Sequence, residues 1–328
     1  MSQTVAQVLK RLKWMRAQGI WPNGKRYLWT DAFGVVLLLS LYRELDRSQF
    51  LDEAEWVVAE VERVLGRPRG FRIGQAADRD GQYYHYLAMW VYALSRLGRV
   101  IPKYHEKAIR VVKDIHPAFL VPERGVHWKM LEDLSAPYPG FGLGALDPFH
   151  GYVVYRLLDE AVLATEVSQM KALVERIYPG LTITQDLGLG MMLWMSHFFP
   201  EERWAKIHHD RSLAMLDRMW IDLPGYFCRE PRLPQMKFAF ANFGVSLGLQ
   251  AVGAWPFRVA ELNSFFDTYQ SGDEYDTDAI THVMGCVSSF PGEFIVSEKA
   301  QQPGNAGRQS ANQCRPRQPA RHRPETSW

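Results

Sequence analysis

Residues 31–65 read DAFGVVLLLSLYRELDRSQFLDEAEWVVAEVERVL, and the contrast between the two halves of this stretch decides the fold. After its opening Asp, residues 31–45 are almost wholly apolar: Phe33, Val35, Val36, Leu37, Leu38, Leu39, Leu41 and Tyr42 surround the helix axis. Residues 50–65 instead set Glu53, Glu55, Glu60, Glu62 and Arg63 along one face and stop at Gly66. A helix that is apolar all round has to be enclosed on every side, whereas a helix with one charged face lies at the surface. The two stretches therefore read as an inner helix followed by an outer one.

The same alternation runs outward in both directions. Amphipathic stretches at 5–18, 50–65, 102–115, 167–177, 201–220 and 256–269 alternate with nearly apolar ones at 31–45, 80–97, 147–163, 184–199, 240–252 and 277–290. Period-two alternation is scarce, so strands are rare. Six enclosed and six exposed helices predict an all-α fold, an (α/α)6 barrel (six-hairpin toroid) over residues 1–292. A weak internal repeat supports it: Ala32-Phe33-Gly34-Val35 matches Asn242-Phe243-Gly244-Val245, each near the start of an inner helix. A Gly there costs roughly 1 kcal/mol of helix propensity relative to Ala, so close packing has to compensate. Residues 293–328 read as a disordered basic tail. From 301 onward it carries five Arg and one Glu and almost no large apolar residue.

Composition narrows the function classes. The chain has 328 residues and a net charge of +2, and the body up to residue 300 is at −2. A body so near neutral is not a nucleic-acid surface. An aromatic content of 13% excludes a mostly disordered chain. No apolar run reaches the roughly 18 residues of a spanning helix, and residues 1–13 hold no apolar signal-peptide core. Cys228, Cys286 and Cys314 are too scattered for a disulfide framework, so a reducing, cytoplasmic setting is expected. His282 and Cys286 stand one helical turn apart but lack further ligands beyond Cys228. Gly188-Leu189-Gly190 is not a phosphate loop. No metal and no cofactor is expected, and the sequence does not reveal the oligomeric state.

The segment Asp80-Gly81-Gln82-Tyr83-Tyr84-His85-Tyr86-Leu87, with Trp90, carries a resemblance. Together with the alternating helices over residues 4–290, it is similar in style to inner helices of the six-hairpin glycosidase superfamily. That resemblance implies the (α/α)6 barrel and a carbohydrate-active enzyme. The Arg-Gly-Asn-Gly-Trp type signature of the unsaturated-uronyl hydrolases has no match, so none of their catalytic residues is carried over.

In such a barrel the starts of the inner helices converge on one mouth. Asp31, Asp80, Asp147, Asp186, Asn242 and Asp278 stand at those starts, where each also suits helix capping. Aromatics flank them: Tyr27, Trp29, Tyr83, Tyr84, Phe149 and Tyr152. Aromatic faces stack on sugar rings, and carboxylates bind hydroxyls and move protons. The connection 117–146 is long enough to fold over the mouth. It brings His127, Trp128, Lys129, Glu132 and Asp133, and leads into Asp147 and His150. Residues 222–240 bring Arg229 and Arg232, suited to an anionic sugar.

The leading expectation is a glycoside hydrolase. Asp80 acts with Asp147, Glu132 or Asp133. Asp31, Tyr83, His85, His127, Trp128, Phe149, His150, Asp186, Arg229 and Asn242 bind a small carbohydrate. The alternatives are a non-catalytic glycan- or peptide-binding protein, and an epimerase or lyase using His85 or His150 as base.

Overall fold

The structure, a computed structural model, describes residues 2–221, 227 and 238–296. The inner helices are α2 (Leu28–Leu45), α4 (Tyr84–Gly98), α6 (Asp147–Asp159), α8 (Asp186–Ser196), α10 (Ala239–Ala251) and α12 (Ala279–Ser289). The outer ones are α1 (Gln3–Ala17), α3 (Ser48–Leu65), α5 (Lys103–Phe119), α7 (Ala164–Ile177), α9 (Arg203–Ile221) and α11 (Pro256–Thr268). Each inner helix packs on the next, from α2 through α12, and α12 returns to α2. The ring is closed, and the fold is the (α/α)6 barrel.

Burial follows the sequence contrast. In α2 every residue from Leu28 to Leu41 is buried, whereas α3 buries only the stripe Phe50, Ala54, Val57, Val58, Val61 and Leu65. Each fully enclosed Leu, Val or Phe contributes roughly 1.5–3 kcal/mol of apolar burial. The core accordingly lies within and just outside the inner ring. The repeated Gly of the inner helices has the packing reason anticipated: a Cβ on Gly34 would stand 2.1 Å from the Trp21 ring.

Two details depart from the expectation. The ring unit extends to Ile295, three residues beyond the boundary read at 292. Phe294 is fully buried, its ring 4.8 Å from that of Phe33. The Phe294 carbonyl accepts the Trp194 indole N–H at 2.9 Å, and Glu293 pairs with Arg96 at 2.9 Å. An apolar ring on a short 3-10 turn (Gly292–Phe294) thus belongs to the core, not to the tail.

The connection 117–146 is also not plain loop. β2 (Leu120–Val121) pairs with β3 (Gly125–Val126), and β1 (Gln82–Tyr83) pairs antiparallel with β4 (Lys129–Met130). The backbone N–H of Tyr84 continues this tie by donating to the Trp128 carbonyl at 3.1 Å. The strap is therefore held against the start of α4. No helix among the described residues is long and apolar enough to cross a membrane.

Candidate active site

The six polar residues read at the helix starts take four kinds of position. Asp278 alone is an N-cap whose side chain bonds its helix, accepting the Ile280 N–H at 3.1 Å. Asp147 and Asp186 are the first residues of α6 and α8. Asp80 lies before β1, beside Gly81, whose φ of +74° turns the chain sharply into the strand.

Asp31 and Asn242 fall inside the first turns of α2 and α10, which begin three residues and one residue earlier than read. This corrects their expected part in substrate binding. Asp31 is fully buried and accepts the Trp21 indole N–H at 3.0 Å, the Arg26 guanidinium at 3.0 Å and the Tyr27 backbone N–H at 3.2 Å. It ties the α1–α2 connection to α2. Burial pushes its carboxyl up to about 6 against the pull of Arg26. Asn242 is fully buried, its amide donating to the Phe238 carbonyl at 2.9 Å.

Phe149 is likewise fully buried and turns outward, onto Trp204 and His208 at 5.5 and 5.6 Å. Among the flanking aromatics, Tyr84 bonds the Tyr155 hydroxyl at 2.7 Å and Tyr152 bonds Glu202 at 3.1 Å, both within the wall. The two acids of the strap are engaged too. Glu132 sits between Arg67 and Arg72, at 2.8 Å from each, and the exposed Asp133 accepts the Ser135 hydroxyl and N–H. His127 is half-buried where the strap bridges to Leu143, and burial lowers its pKa. Arg229 and Arg232 lie outside the described residues, as does Cys228.

What converges is a set around His85, the second residue of α4. Its Nδ1 lies 3.3 Å from Oδ1 of Asp147, across the α4–α6 seam. The His85 side chain is 23% exposed and that of Asp147 only 4%, so the carboxylate is hidden while the imidazole meets solvent. Burial raises the Asp147 carboxyl above its ordinary value, and the bond to His85 opposes that rise. In the tautomer with its proton on Nδ1, facing the carboxylate, Nε2 is the basic atom of the ring.

Around His85 stand Tyr86 at 4.8 Å, Tyr83 at 5.4 Å, Trp29 at 5.9 Å and Trp128 at 6.5 Å between ring centroids. Trp128 stacks on Tyr83 at 5.9 Å and is 42% exposed. The sequence reading passed over Tyr86, which stands three residues after Tyr83 on the same face; the signal was there once the helix start was known.

His150 stands 6.4 Å from His85 and one turn along α6 from Asp147. Its Nδ1 faces the Leu146 carbonyl at 3.2 Å, and its buried Nε2 meets no hydrogen-bond partner. Burial, reinforced by His85, lowers its pKa to about 3, so it is neutral at ordinary pH and presents a bare lone pair.

Asp80 accepts the Tyr138 hydroxyl at 2.8 Å and Lys129 at 3.2 Å. These bonds hold its carboxyl below the usual range. An ionised carboxyl suits the second carboxylate of a glycosidase and not its general acid, so of the two parts open to Asp80 its surroundings fit only the former. Among the described residues, no three His, Cys, Asp or Glu side chains gather as a metal site.

No protein-family model matches the chain, and no curated protein sequence matches it. Solved structures do. The chain is similar to cellobiose 2-epimerase from Spirochaeta thermophila DSM 6192 with TM-score 0.61 and 12% identity, over 89% of this chain and 96% of that one. It is also similar to cellobiose 2-epimerase from Bacillus thermoamylovorans B4167 with TM-score 0.55 and 11% identity, over 80% and 87%. What the chain shares with these structures is the fold, the (α/α)6 barrel. At such identities the likeness extends to the fold, and function has to be argued from the site.

Proposed function

We propose that the protein is a carbohydrate-active enzyme that shifts a proton at a sugar carbon next to a carbonyl, as an epimerase does. The observation that carries this reading is the His85–Asp147 pair, set among aromatic rings at the open end of α4. An imidazole oriented by a hidden carboxylate is a competent general base, and the carboxylate stabilises the imidazolium that forms. His85 takes the proton from the carbon through Nε2, leaving an enediolate, and inversion follows when the enediolate turns its other face to the imidazolium, which returns the proton. His150, neutral and buried 6.4 Å from His85, lines the wall behind it. Tyr83, Tyr86 and Trp128 supply the stacking walls that a pyranose needs, with the buried Trp29 packed behind them. Both similar structures are of epimerases, in agreement with this chemistry.

Glycoside hydrolysis is the weaker reading. It requires one carboxyl with a raised pKa over the scissile oxygen and a second, ionised one across the site. Asp80 has the low pKa of the ionised partner, but Asp147, which has the rise, is hidden behind His85, and Glu132 is held by two guanidinium groups.

The test is incubation with reducing mono- and disaccharides in deuterium oxide. Deuterium at the carbon beside the anomeric centre, without glycosidic cleavage, is the expected result. Release of monosaccharide without label at that carbon would return the hydrolase reading. Binding without turnover across the panel would make the site a glycan receptor.

A further inference from the structure

A second cavity opens away from the mouth, where the ring closes. It has a volume of about 680 Å³ and lies between α1, the end of α11 and α12. That is within the roughly 300–1,000 Å³ of small-molecule sites. One wall is the α1 face of Gln7, Arg11 and Trp14. The floor is the α12 face of His282, Cys286 and Ser289, and Asp267, Thr268 and Gln270 complete the rim. The spacings on α1 and α12 are each one turn repeated, so each helix turns a single continuous face to the cavity.

The chemistry of the lining narrows what fits. Its cations, Lys10 and Arg11, are matched in number by Asp267 and Asp276, and Arg11 pairs directly with Asp267. An anion therefore finds as much repulsion as attraction. The Trp14 indole is 41% exposed and meets the His282 ring edge-on at 4.8 Å, an aromatic surface held by a second ring. His282 Nε2–H donates to the Asp276 carbonyl at 2.9 Å, leaving Nδ1 as an acceptor. Burial keeps this imidazole neutral by lowering its pKa. Amides from Gln7 and Gln270 and the Ser289 hydroxyl add donors and acceptors, and the hydroxyls of Thr268 and Thr277, which donate to the Phe265 and Glu274 carbonyls, add acceptors. Metal ligation is not served: among the described residues no third ligand joins His282 and Cys286.

We propose that this cavity is a second, non-catalytic binding site for a neutral saccharide of about two or three rings, with the Trp14 indole as its stacking platform. A balanced ion pair, amides and hydroxyls beside an exposed indole match the alternating hydroxyls and apolar face of a pyranose. The inference is independent of the chemistry at the mouth.

The test is calorimetric titration of the full chain with maltotriose, cellobiose and glucose 6-phosphate. It compares the wild type with Trp14→Ala, with Thr268→Trp, which narrows the rim, and with His85→Ala/Trp128→Ala, which disables the mouth. Binding of a neutral saccharide that survives in the mouth variant, and weakens about tenfold or more in both cavity variants, is the expected result. Turnover at the mouth stays unchanged in Trp14→Ala. Equal binding by wild type and both cavity variants overturns the site. Tighter binding of glucose 6-phosphate than of either neutral sugar overturns the ligand class. Absent turnover with intact cavity binding sinks only the epimerase reading. Trp14 and Thr268 are exposed, so folding of these variants is checked by circular dichroism and not expected to change.

Discussion

The α4–α6 pair and the α8–α10 pair are both neighbours in the inner ring, yet they are joined in opposite ways. Between α4 and α6 the contact is made by polar side chains: His85 on Asp147, and the Tyr84 hydroxyl on that of Tyr155. Between α8 and α10 the backbones themselves meet. A Cβ on Gly248 would stand 2.1 Å from the Gly190 carbonyl oxygen, and one on Gly190 would stand 2.4 Å from that of Gly244. Where backbones touch, no side chain fits between them and no titratable group can be placed there. Where side chains hold two helices, the seam can carry a hidden carboxylate and an exposed imidazole. One half of the ring therefore serves packing, and the other has room for chemistry.

The sharpest way to break this contrast is at His85. His85→Ala should lower turnover about 10²- to 10⁴-fold, the usual worth of a general base, with the circular dichroism spectrum unchanged because the ring is partly exposed. Near-normal isotope exchange would remove the α4–α6 seam from the mechanism.

On the packing side, Gly248→Ala should destabilise the fold by about 1–3 kcal/mol through overpacking, read as a lowered urea midpoint. Gly180→Ala, whose added methyl meets nothing within 4 Å, is the control. Equal midpoints would mean that α8 and α10 have slack to separate.

A smaller effect is expected at Asp147, which acts through His85. Asp147→Asn should reduce kcat about 10- to 100-fold, as removal of an orienting partner does, leave KM near normal and displace the pH–rate profile. An unchanged profile with lowered stability would make the carboxylate structural.

The least effect is expected in the acid limb of stability. His150 is neutral when folded, with its pKa lowered to about 3, and titrates near 6.5 when unfolded. Between those values the unfolded chain binds the extra proton, so stability falls as pH drops from about 6.5 toward 3. This single group contributes at most about 1.4 kcal/mol per pH unit. Asp31 works in the other direction. Its carboxyl, raised to about 6, is protonated in the folded chain while already ionised in the unfolded one, so its stabilisation is lost as pH rises from about 4 through 6. His150→Asn should flatten the acid limb in chemical-denaturation series. An unaltered limb would mean that His150 is more solvated than its burial indicates.

How far the site was legible follows from the kind of signal each residue carries. Asp80, Tyr83 and His85 stood out because a Gly turn sits between an acid and three aromatics. The pairing of His85 with Asp147 did not, since the two are 62 positions apart and meet only because α4 and α6 are neighbours. Asp31 and Asn242 misled because an acid or amide at the start of an apolar stretch has the same appearance whether it caps the helix, faces the mouth or sits inside the first turn. Glu132 misled for another reason: its two arginines, Arg67 and Arg72, come from a distant connection.

The sequence by itself determined the alternation of enclosed and exposed helices, and with it the closed ring, because apolar faces leave a helix no other place to go. Which polar groups share the mouth was decided by tertiary structure alone. Helix phase and helix neighbours depend on how side chains and glycine backbones fit together around the whole ring, and no local stretch contains that information.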